Sequence, residues 1–396
     1  MIRLMRLDDT CELITDGTHY TPPDSGVGVP FLTVKDVSHD GKLDLFGCSK
    51  ISNEEYTRAL AGNSAPQKGD VLFSKDGTVG KVSVITGNDE FAVLSSLAIL
   101  RPNSEVLDPS YLGHVLKSES VIDQATRSKT GSAIRRIILK DLKRVEFYVP
   151  PLPEQRRIAA ILDKADELRQ KRRQAIEKLD QLLQSVFLDM FGDPVTNPKG
   201  WDQLPLGDVT KFENGDRSSN YPSGPDIVSH GVLFLSTKNI RSSMLDLSEC
   251  QYITAEKFKS LSRGKLQAGD LIITLRGTLG SCALFDEAQY DTGFINAQMM
   301  IIRSSAKLLP RFLHSLLVSS KMQSYIRYDA SGAAVPQLTA NGLKKIRVIV
   351  PPLYEQQKYC DVLEQFNQQM FCAKAAFSKL ESLFGSLQQR AFNGTL

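Results

Sequence analysis

The chain contains few residues whose types and spacing could carry out catalysis. The segment around Gly80 and Lys81 comes nearest to a phosphate-binding loop, but Lys75 stands where that motif needs its first glycine, and Val82 where it needs Ser or Thr. The five histidines are scattered without the spacing of metal ligands, and neither a GxSxG nucleophile motif nor an HExxH zinc motif occurs. The sequence therefore predicts no catalytic residue and no metal site.

The chain repeats itself at a distance of about 200 residues. GDVLFSKDGTVG at 69–80 returns as GDLIITLRGTLG at 269–280, FLTVKDV at 31–37 as FLSTKNI at 234–240, and VPPLPEQ at 149–155 as VPPLYEQ at 350–356. The offsets are 200, 203 and 201, so the copies stay in register apart from small changes in the loops. Because this period is too long for a solenoid, it indicates two domain-sized units with a pseudo-two-fold relation.

The repeat preserves architecture and not a set of reactive groups. Glycines, prolines and apolar residues recur, whereas the copies share no acidic cluster of the kind that a two-metal nuclease needs. Asp70 and Asp270 do recur, but each follows a glycine just before an apolar run, and we interpret both as turn-forming residues. The polar loops differ, for example Lys75-Asp76 against Leu275-Arg276. A shared scaffold with divergent loops is typical of a protein that recognises two different sequences.

Composition limits the class of protein. The 396 residues are 41% hydrophobic and 23% charged, as in a globular protein long enough for two or three domains. No stretch approaches the ~20 apolar residues of a membrane span. The six cysteines form no CxxC pair, so we expect reduced thiols in the cytoplasm and no membrane partner.

Basic residues are concentrated at two equivalent positions. Between residues 117 and 147 eight basic side chains outnumber four acidic ones, and between 318 and 348 five outnumber one, which leaves a net charge of +4 in both segments. Two equivalent basic segments favour two equivalent contacts with an anionic partner. The alternative interpretation is that both basic segments are exposed to solvent and contact no partner.

Each copy divides into a globular part and a helix. The globular parts, 1–150 and 193–350, alternate short β-rich runs with turns, and Tyr111–Val121 and Phe312–Ser320 are predicted to be helices packed on the sheets. A pair of prolines then precedes each of two segments in which apolar residues recur at alternating steps of four and three. This heptad pattern predicts two helices of about 38 residues, the first of which ends at Gly192.

The two helices are predicted to bury their apolar stripes against each other as an antiparallel coiled coil, because neither could bury its stripe alone. Packing of each helix on its own globular domain is the alternative. The predicted fold class is therefore α+β, with two similar mixed α/β domains separated by two long helices and related by a pseudo-two-fold internal repeat.

Two arginines interrupt the apolar seam of the first helix. Arg169 and Arg172 stand where the second helix has apolar or small residues. Unpaired charges inside a coiled coil would be costly, so these side chains must pair, extend to solvent or contact a partner. We favour a local rotation that brings Leu168 and Ala175 into the seam, with a partner contact as the alternative.

Four segments carry a resemblance to a known family: VPPLPEQRRIAAILDKAD at 149–166, SVFLDMFGDPVTNPKGW at 185–201, VPPLYEQ at 350–356 and RAFNGTL at 390–396. They resemble the conserved spacer regions of specificity subunits of type I restriction-modification systems. The resemblance spans the chain and implies a target recognition domain at 1–150, a spacer helix at 151–192, a second recognition domain at 193–350 and a second spacer helix at 351–396. Because the chain starts directly in the first recognition domain, we expect the C-terminal helix to complete the arrangement.

The resemblance implies a DNA-binding component without catalysis of its own. In this family each recognition domain reads one half of a bipartite site in double-stranded DNA, and the helices fix the gap and hold two adenine methyltransferase subunits. Motor and nuclease subunits complete the complex. S-adenosylmethionine is then expected on the methyltransferase, and ATP and Mg²⁺ on the motor and nuclease partner, with no cofactor on this chain.

Proteins of other classes remain as alternatives. A fused methyltransferase or nuclease would need a cofactor glycine motif and an NPPF/Y-type motif, which the PPL sequences at 150–152 and 351–353 do not match. Two further alternatives are a specificity subunit of a related methyltransferase-nuclease system and a scaffold whose partner is not DNA.

DNA contacts are expected from polar residues of the divergent loops. Arg and Gln can make bidentate contacts with guanine and adenine, whereas most Lys side chains only hold phosphate. For each residue a solvated surface charge is the alternative. The candidates are His19, Tyr20, Lys35, Lys75, Arg127, Lys129, Arg135 and Arg136 in the first half, and Arg217, Asn220, Lys238, Arg276, Arg327 and Gln337 in the second.

Overall fold

The computed structural model of the chain describes residues 3–126, 136–216, 220–286, 290–329 and 338–392. The chain divides into two compact units, of which the first is Met1–Ala175 with Ala373–Leu396 and the second is Ile176–Cys372. Each unit combines a globular domain with segments of two long helices.

The first unit is built from short strands and helices. Its strands are β1 (Arg3–Arg6), β2 (Cys11–Asp16), β3 (Val29–Leu32), β4 (Ser49–Ile51), β5 (Val71–Ser74), β6 (Val82–Val84), β7 (Ala92–Val93), β8 (Leu97–Pro102) and β9 (Glu146–Val149). Its helices are α1 (Leu7–Thr10), α2 (Asn53–Ala61), α3 (Pro109–Leu116), α4 (Glu119–Thr126), α5 (Leu139–Lys143) and the long helix α6 (Leu152–Phe191), of which the residues up to Ala175 belong to this unit.

The central sheet of the first unit is antiparallel, in the order β2-β8-β5-β6. Every side chain of β5 is buried, because both faces of the strand are covered. Val71 and Phe73 pack with Tyr111 of α3 on one face, whereas Leu72 packs with Leu32 of β3 on the other. The neighbouring sheet places β3 between β4 and β7, antiparallel to the first and parallel to the second. Strand β1 pairs with β9.

The second unit repeats these elements. Its strands are β10 (Gln203–Pro205), β11 (Thr210–Asn214), β12 (Ile227–Val228), β13 (Val232–Leu235), β14 (Ile240–Arg241), β15 (Met244–Leu245), β16 (Gln251–Ile253), β17 (Leu271–Thr274), β18 (Cys282–Leu284), β19 (Gly293–Ile295), β20 (Met299–Ser304) and β21 (Arg347–Ile349). Its helices are α7 (Leu206–Val209), α8 (Ala255–Ser260), α9 (Pro310–Val318), α10 (Ser320–Asp329), α11 (Ala340–Lys345) and the long helix α12 (Leu353–Phe392), of which the residues up to Cys372 belong here.

The two units share one topology. The sheet β11-β20-β17-β18 corresponds to β2-β8-β5-β6, and β13 lies between antiparallel β16 and parallel β19 as β3 lies between β4 and β7. The second unit adds β12 and the β14-β15 hairpin. The internal repeat and the α+β fold class are therefore confirmed.

The two shorter predicted helices are each broken in two. Instead of one helix over 111–121, the chain forms α3 and α4, and instead of one over 312–320, it forms α9 and α10. At each break a serine hydroxyl donates to a carbonyl of the preceding turn: Ser118 to Val115 at 2.7 Å and Ser319 to Leu316 at 2.8 Å. Such a side chain competes with the next backbone N–H and lets the helix end.

The long helices begin directly after the proline pairs, at Leu152 and Leu353. Helix α6 ends before Gly192, whose φ of +75° is the left-handed conformation that closes many helices. The Gly192 N–H donates to the Leu188 carbonyl at 2.8 Å. Both the proline start and the glycine stop are confirmed, while Gly394 lies outside the described residues.

The start of each long helix meets the end of the other. In the first unit Ile158 of α6 shares a core with Ala391 of α12. In the second unit Phe187 and Phe191 of α6 lie edge-on to Tyr359 of α12, with ring centroids 5.4 and 5.6 Å apart. The pairing is antiparallel in both units, which confirms the coiled coil. The alternative, in which each helix packs only on its own domain, is wrong because each core takes in segments of both helices.

The expected rotation of α6 around Arg169 does not occur. Leu168 is 48% exposed and Ala175 is exposed, so neither enters the seam. Arg169 stays there because it is paired: its guanidinium donates to both Glu381 carboxylate oxygens at 2.9 and 2.7 Å and lies 4.1 Å from the centroid of Phe384. Arg172 is exposed to solvent.

Replacing Arg169 with Leu is therefore expected to destabilise the first unit by about 1–2 kcal/mol, because the half-buried Glu381 loses two hydrogen bonds and keeps only the 3.9 Å contact with Arg173. Arg172→Leu is the matched control and should change the free energy of unfolding by less than about 0.5 kcal/mol. Thermal unfolding of both variants gives the comparison. Equal midpoints for the two variants would contradict a structural role for the Arg169 pair.

Candidate nucleic-acid interface

The hairpin turns after β5 and β17 have the same construction. The Ser74 hydroxyl donates to the Thr78 carbonyl at 2.6 Å and accepts from the Lys81 N–H at 2.7 Å. Thr274 makes the equivalent bonds, to the Thr278 carbonyl and from the Ser281 N–H. Glycine follows at 77 and 277 with φ of +70° and +79°, a conformation that other residues rarely adopt. The same turn thus carries Lys75-Asp76 in the first unit and Leu275-Arg276 in the second, with Lys75 and Leu275 buried.

The basic segments of the two units pass beside these turns. The Ile137 N–H donates to the Lys75 carbonyl at 2.8 Å, and the Leu338 N–H donates to the Leu275 carbonyl at 3.1 Å. Both Ile137 and Leu338 are buried, so each segment is anchored at an equivalent point. The preceding stretches, with the candidates Arg127, Lys129, Arg135 and Gln337, lie outside the described residues, as does Arg217.

Lys75 is not at the surface, which corrects the expectation that its ammonium group is available to DNA. Its side chain is buried, and Nζ lies 3.2 Å from a carboxylate oxygen of Asp16. Burial raises the pKa of Asp16, and the neighbouring Lys75, His19 and Arg136 side chains act on that pKa in the opposite direction. Three sequence-predicted residues therefore lie around one carboxylate that the sequence analysis did not identify.

A cavity of about 390 Å³ opens beside this carboxylate. Asp16, His19, Tyr20 and Arg58 contribute to its lining. The Tyr20 hydroxyl donates to the Glu55 carboxylate of α2. Both His19 and Tyr20 are exposed and thus available to a partner.

Asn220 occupies the corresponding place in the second unit. Its amide donates to the Ser260 carbonyl at 3.1 Å and accepts from Lys257 Nζ at 3.4 Å, and both partners belong to α8. Since α8 corresponds to α2, Asn220 and Tyr20 contact the same helix of the repeat with different polar groups. This pair illustrates a common scaffold with divergent contacts.

Lys35 and Lys238 lie at equivalent, exposed positions. Each is the middle residue of a single 3₁₀ turn, Val34–Asp36 or Thr237–Asn239, and each turn is closed by a reciprocal capping box. In the first unit the Lys81 ammonium donates to the Val34 carbonyl at 2.9 Å, which ties this turn to the neighbouring hairpin. The two lysines are thus presented by rigid backbone, which suits contacts with phosphate.

The remaining candidates are exposed. Arg136 lies 3.4 Å from Asp76 at the hairpin tip, Arg276 occupies the equivalent tip in the second unit, and Arg327 lies on α10. The structure thus brings His19, Lys75 and Arg136 together, and it distributes the described candidates of the second unit over a hairpin, a 3₁₀ turn, a loop beside α8 and the helix α10.

A short repeat that is less similar than the motifs above could have identified Asp16 as a candidate site residue. Asp16-Gly17 ends β2 as Asn214-Gly215 ends β11. A Cβ atom at Gly17 would lie 2.2 Å from the Val93 carbonyl oxygen, and one at Gly215 would lie 2.3 Å from that of Asn296. The close backbone approach requires glycine in both units and fixes the preceding polar residue.

Among the described residues, no group of three or more His, Cys, Asp or Glu side chains could hold a metal ion. Burial raises the pKa of the Cys11 and Cys282 thiols to about 12, so neither supplies a thiolate at neutral pH. Within the described part of the chain, no helix is long and apolar enough to cross a membrane.

Comparison with known proteins identifies the family. The model of the type I restriction modification DNA specificity domain matches twice, at residues 3–178 and 198–375. The chain belongs to this family. The specificity subunit is 25% identical over 371 residues to the type I restriction enzyme MjaX specificity subunit of Methanocaldococcus jannaschii, which covers 89% of this chain and 83% of the relative. It is 23% identical to the EcoKI specificity subunit of Escherichia coli K12, over 75% of this chain and 68% of that one.

Two solved structures share the fold of the specificity subunit. One of them is a chain solved in a study of complex assembly and conformational transition in a type I restriction-modification system. Its TM-score is 0.59 at 19% identity, and the alignment covers 100% of this chain and 98% of the solved one. The S subunit from M. genitalium has a TM-score of 0.56 at 16% identity, with 99% and 96% covered. The resemblance is confirmed, and the alternatives of a related system or a non-DNA scaffold are not favoured.

Proposed function

We propose that this specificity subunit recognises a bipartite site in double-stranded DNA, with one half read by each globular domain. The observation that carries the proposal is that equivalent rigid turns of the two domains present different polar groups. Asp76 and Arg276 occupy one pair of turns, and Tyr20 and Asn220 contact the same helix of the repeat. The shared Lys35 and Lys238 suit phosphate contacts, which position DNA without reading its sequence.

The proposal extends to the partners and their cofactors. The long helices hold two methyltransferase subunits and set the gap between the half-sites, and motor and nuclease subunits complete the complex. The specificity subunit itself performs no catalysis. S-adenosylmethionine then belongs to the methyltransferase, and ATP and Mg²⁺ to the motor and nuclease subunits. Family membership and the protonated thiols of the partly buried Cys11 and the buried Cys282 support this division of labour.

Exchange of residues 1–150 for the first domain of another family member tests the division of recognition. The hybrid, assembled with its methyltransferase, is expected to methylate a DNA site in which one half has changed and the other half and the gap are unchanged. Sequencing of methylated DNA provides the readout. Exchange of 193–350 is the matched control and should change the opposite half. A change of both halves in either hybrid would disprove the division.

A further inference from the structure

The Asx turn at Asp44–Gly47 carries an unusually exposed aromatic side chain. Phe46 is 96% exposed, the highest exposure among the large hydrophobic side chains of the described residues. The Asp44 carboxylate accepts from the Phe46 N–H at 3.2 Å and from the Gly47 N–H at 2.7 Å. The backbone beneath the ring is therefore fixed, although the ring itself contacts mainly solvent.

The second unit builds the same turn without the aromatic ring. The Asp44 N–H donates to the Asp36 carbonyl at 2.9 Å, as the Asp246 N–H donates to the Asn239 carbonyl at 2.8 Å. The Asp246 carboxylate accepts from the Ser248 N–H at 3.1 Å, and Ser248 stands where the first unit has Phe46. Because the fold makes this turn with either residue, Phe46 is not needed for the turn itself.

A second pair of contacts extends the match. The Cys48 thiol donates to the Leu45 carbonyl at 3.6 Å, and the Cys250 thiol donates to the Leu247 carbonyl at 3.3 Å. The two turns thus agree in these backbone hydrogen bonds, in the capping carboxylate and in the thiol that donates to a carbonyl, and they differ at the tip. The other candidate recognition loops likewise share a backbone and differ in the exposed side chain. Here the side chain that differs is apolar in the first unit.

The surroundings of Phe46 favour DNA as its partner. The Asx turn is hydrogen-bonded to the 3₁₀ turn that presents the exposed Lys35, and the Lys50 ammonium donates to the Leu45 carbonyl directly before Phe46. The exposed Lys35 on the bonded turn and the partly buried Lys50 beneath Leu45 place positive charge on the same surface as the apolar tip, which suits DNA phosphates next to base edges. Among base edges, the 5-methyl group of thymine is the one that an apolar side chain contacts.

We propose that Phe46 is a specificity-determining residue that makes an apolar contact with a thymine in the half-site read by the first domain. The inference rests on the proposed function and deepens it. The fixed turn supports the contact, because little backbone order has to be gained when DNA binds. Ser248 presents a hydroxyl at the equivalent point and gives the second domain a different preference there.

The test uses the full-length subunit assembled with its methyltransferase and a DNA library randomised over both half-sites. Phe46→Ser introduces the residue that the second unit has at this point, and Phe46→Leu keeps an apolar side chain there. Met244→Ser is the control, because it removes a 62% exposed apolar side chain from the second unit. We expect Phe46→Ser to weaken discrimination at one position of one half-site by roughly fivefold or more. Phe46→Leu should retain part of it, and Met244→Ser should leave that half-site unchanged.

Three outcomes separate the possibilities. If the unmodified complex methylates no bipartite sequence, the proposed function fails and the inference fails with it. If that complex is specific and Phe46→Ser methylates the same sequences with the same preferences, the inference alone is overturned. If Phe46→Ser keeps its unfolding midpoint but no longer assembles with the methyltransferase, the ring is a protein-docking residue and the inference is likewise overturned.

Discussion

Replacing Arg303 with Met is expected to lower the free energy of unfolding of the second unit by about 3–5 kcal/mol. Asp270, fully buried, accepts two charge-assisted hydrogen bonds of 2.7 Å from the Arg303 guanidinium. Without that partner a buried carboxylate remains uncompensated, which is among the most destabilising changes a protein interior can undergo. The same pair recurs as Asp70 and Arg101 in the first unit.

Urea unfolding followed by tryptophan fluorescence is a suitable measurement for this variant. Trp201 is the single tryptophan of the chain, and its indole N–H donates to the Phe191 carbonyl at 3.0 Å within the second unit. Lys358→Met removes the exposed ion pair with Glu355 and should cost less than about 1 kcal/mol. Adding Asp270→Asn to Arg303→Met should recover part of the loss. A cost for Arg303→Met as small as that of the control would refute the role of the buried pair.

Gln356→Leu is expected to destabilise the second unit by about 3 kcal/mol. The Gln356 side chain is fully buried, and it accepts from the Leu309 N–H at 2.8 Å and donates to the Lys307 and Pro351 carbonyls at 3.0 and 2.7 Å. A leucine of similar size leaves these three backbone groups without a partner.

The neighbouring residue provides a matched control for this change. Gln357 is exposed and its amide contacts only Asp361 among the hydrogen bonds found in the described residues, so Gln357→Leu should leave the urea midpoint nearly unchanged. Trp201 fluorescence again reports the transition. Indistinguishable midpoints for the two variants would show that the hydrogen bonds of Gln356 contribute nothing net.

The repeated Gln explains why the PPLxEQ motif occurs twice. Gln155 makes the same three bonds in the first unit, accepting from the Asp108 N–H and donating to the Val106 and Pro150 carbonyls at 2.8, 2.8 and 2.7 Å. Each glutamine fastens the first turn of a long helix to the loop before α3 or α9. The PPLxEQ motif, which carried the resemblance, is therefore a structural clamp. Its glutamine recurs in both copies because it holds the start of the long helix by hydrogen bonds, and not because it takes part in a reaction.

The turn-forming interpretation of Asp70 and Asp270 was correct but incomplete. Their carboxylates accept from the Gln67 and Gln267 N–H groups at 2.9 and 2.8 Å, as a turn residue does. Their arginine partners lie more than thirty residues later in the sequence. The repeat of Asp was visible in the sequence, whereas the distant cation became visible only in the sheet, where β5 and β8 or β17 and β20 are neighbours.

The sequence by itself determined the twofold repeat, the long helices and their bounds at the proline pairs and Gly192, and its spacer motifs carried the resemblance to the family. The first three follow from local patterns: apolar periodicity, backbone-restricting residues and motifs at a constant offset. It did not determine that Lys75 is buried, that Arg169 stays in the seam, or that Asp16 lies among the candidate residues. Each of these depends on which distant carboxylate or backbone carbonyl the fold brings within hydrogen-bonding distance, and only the tertiary structure decides that.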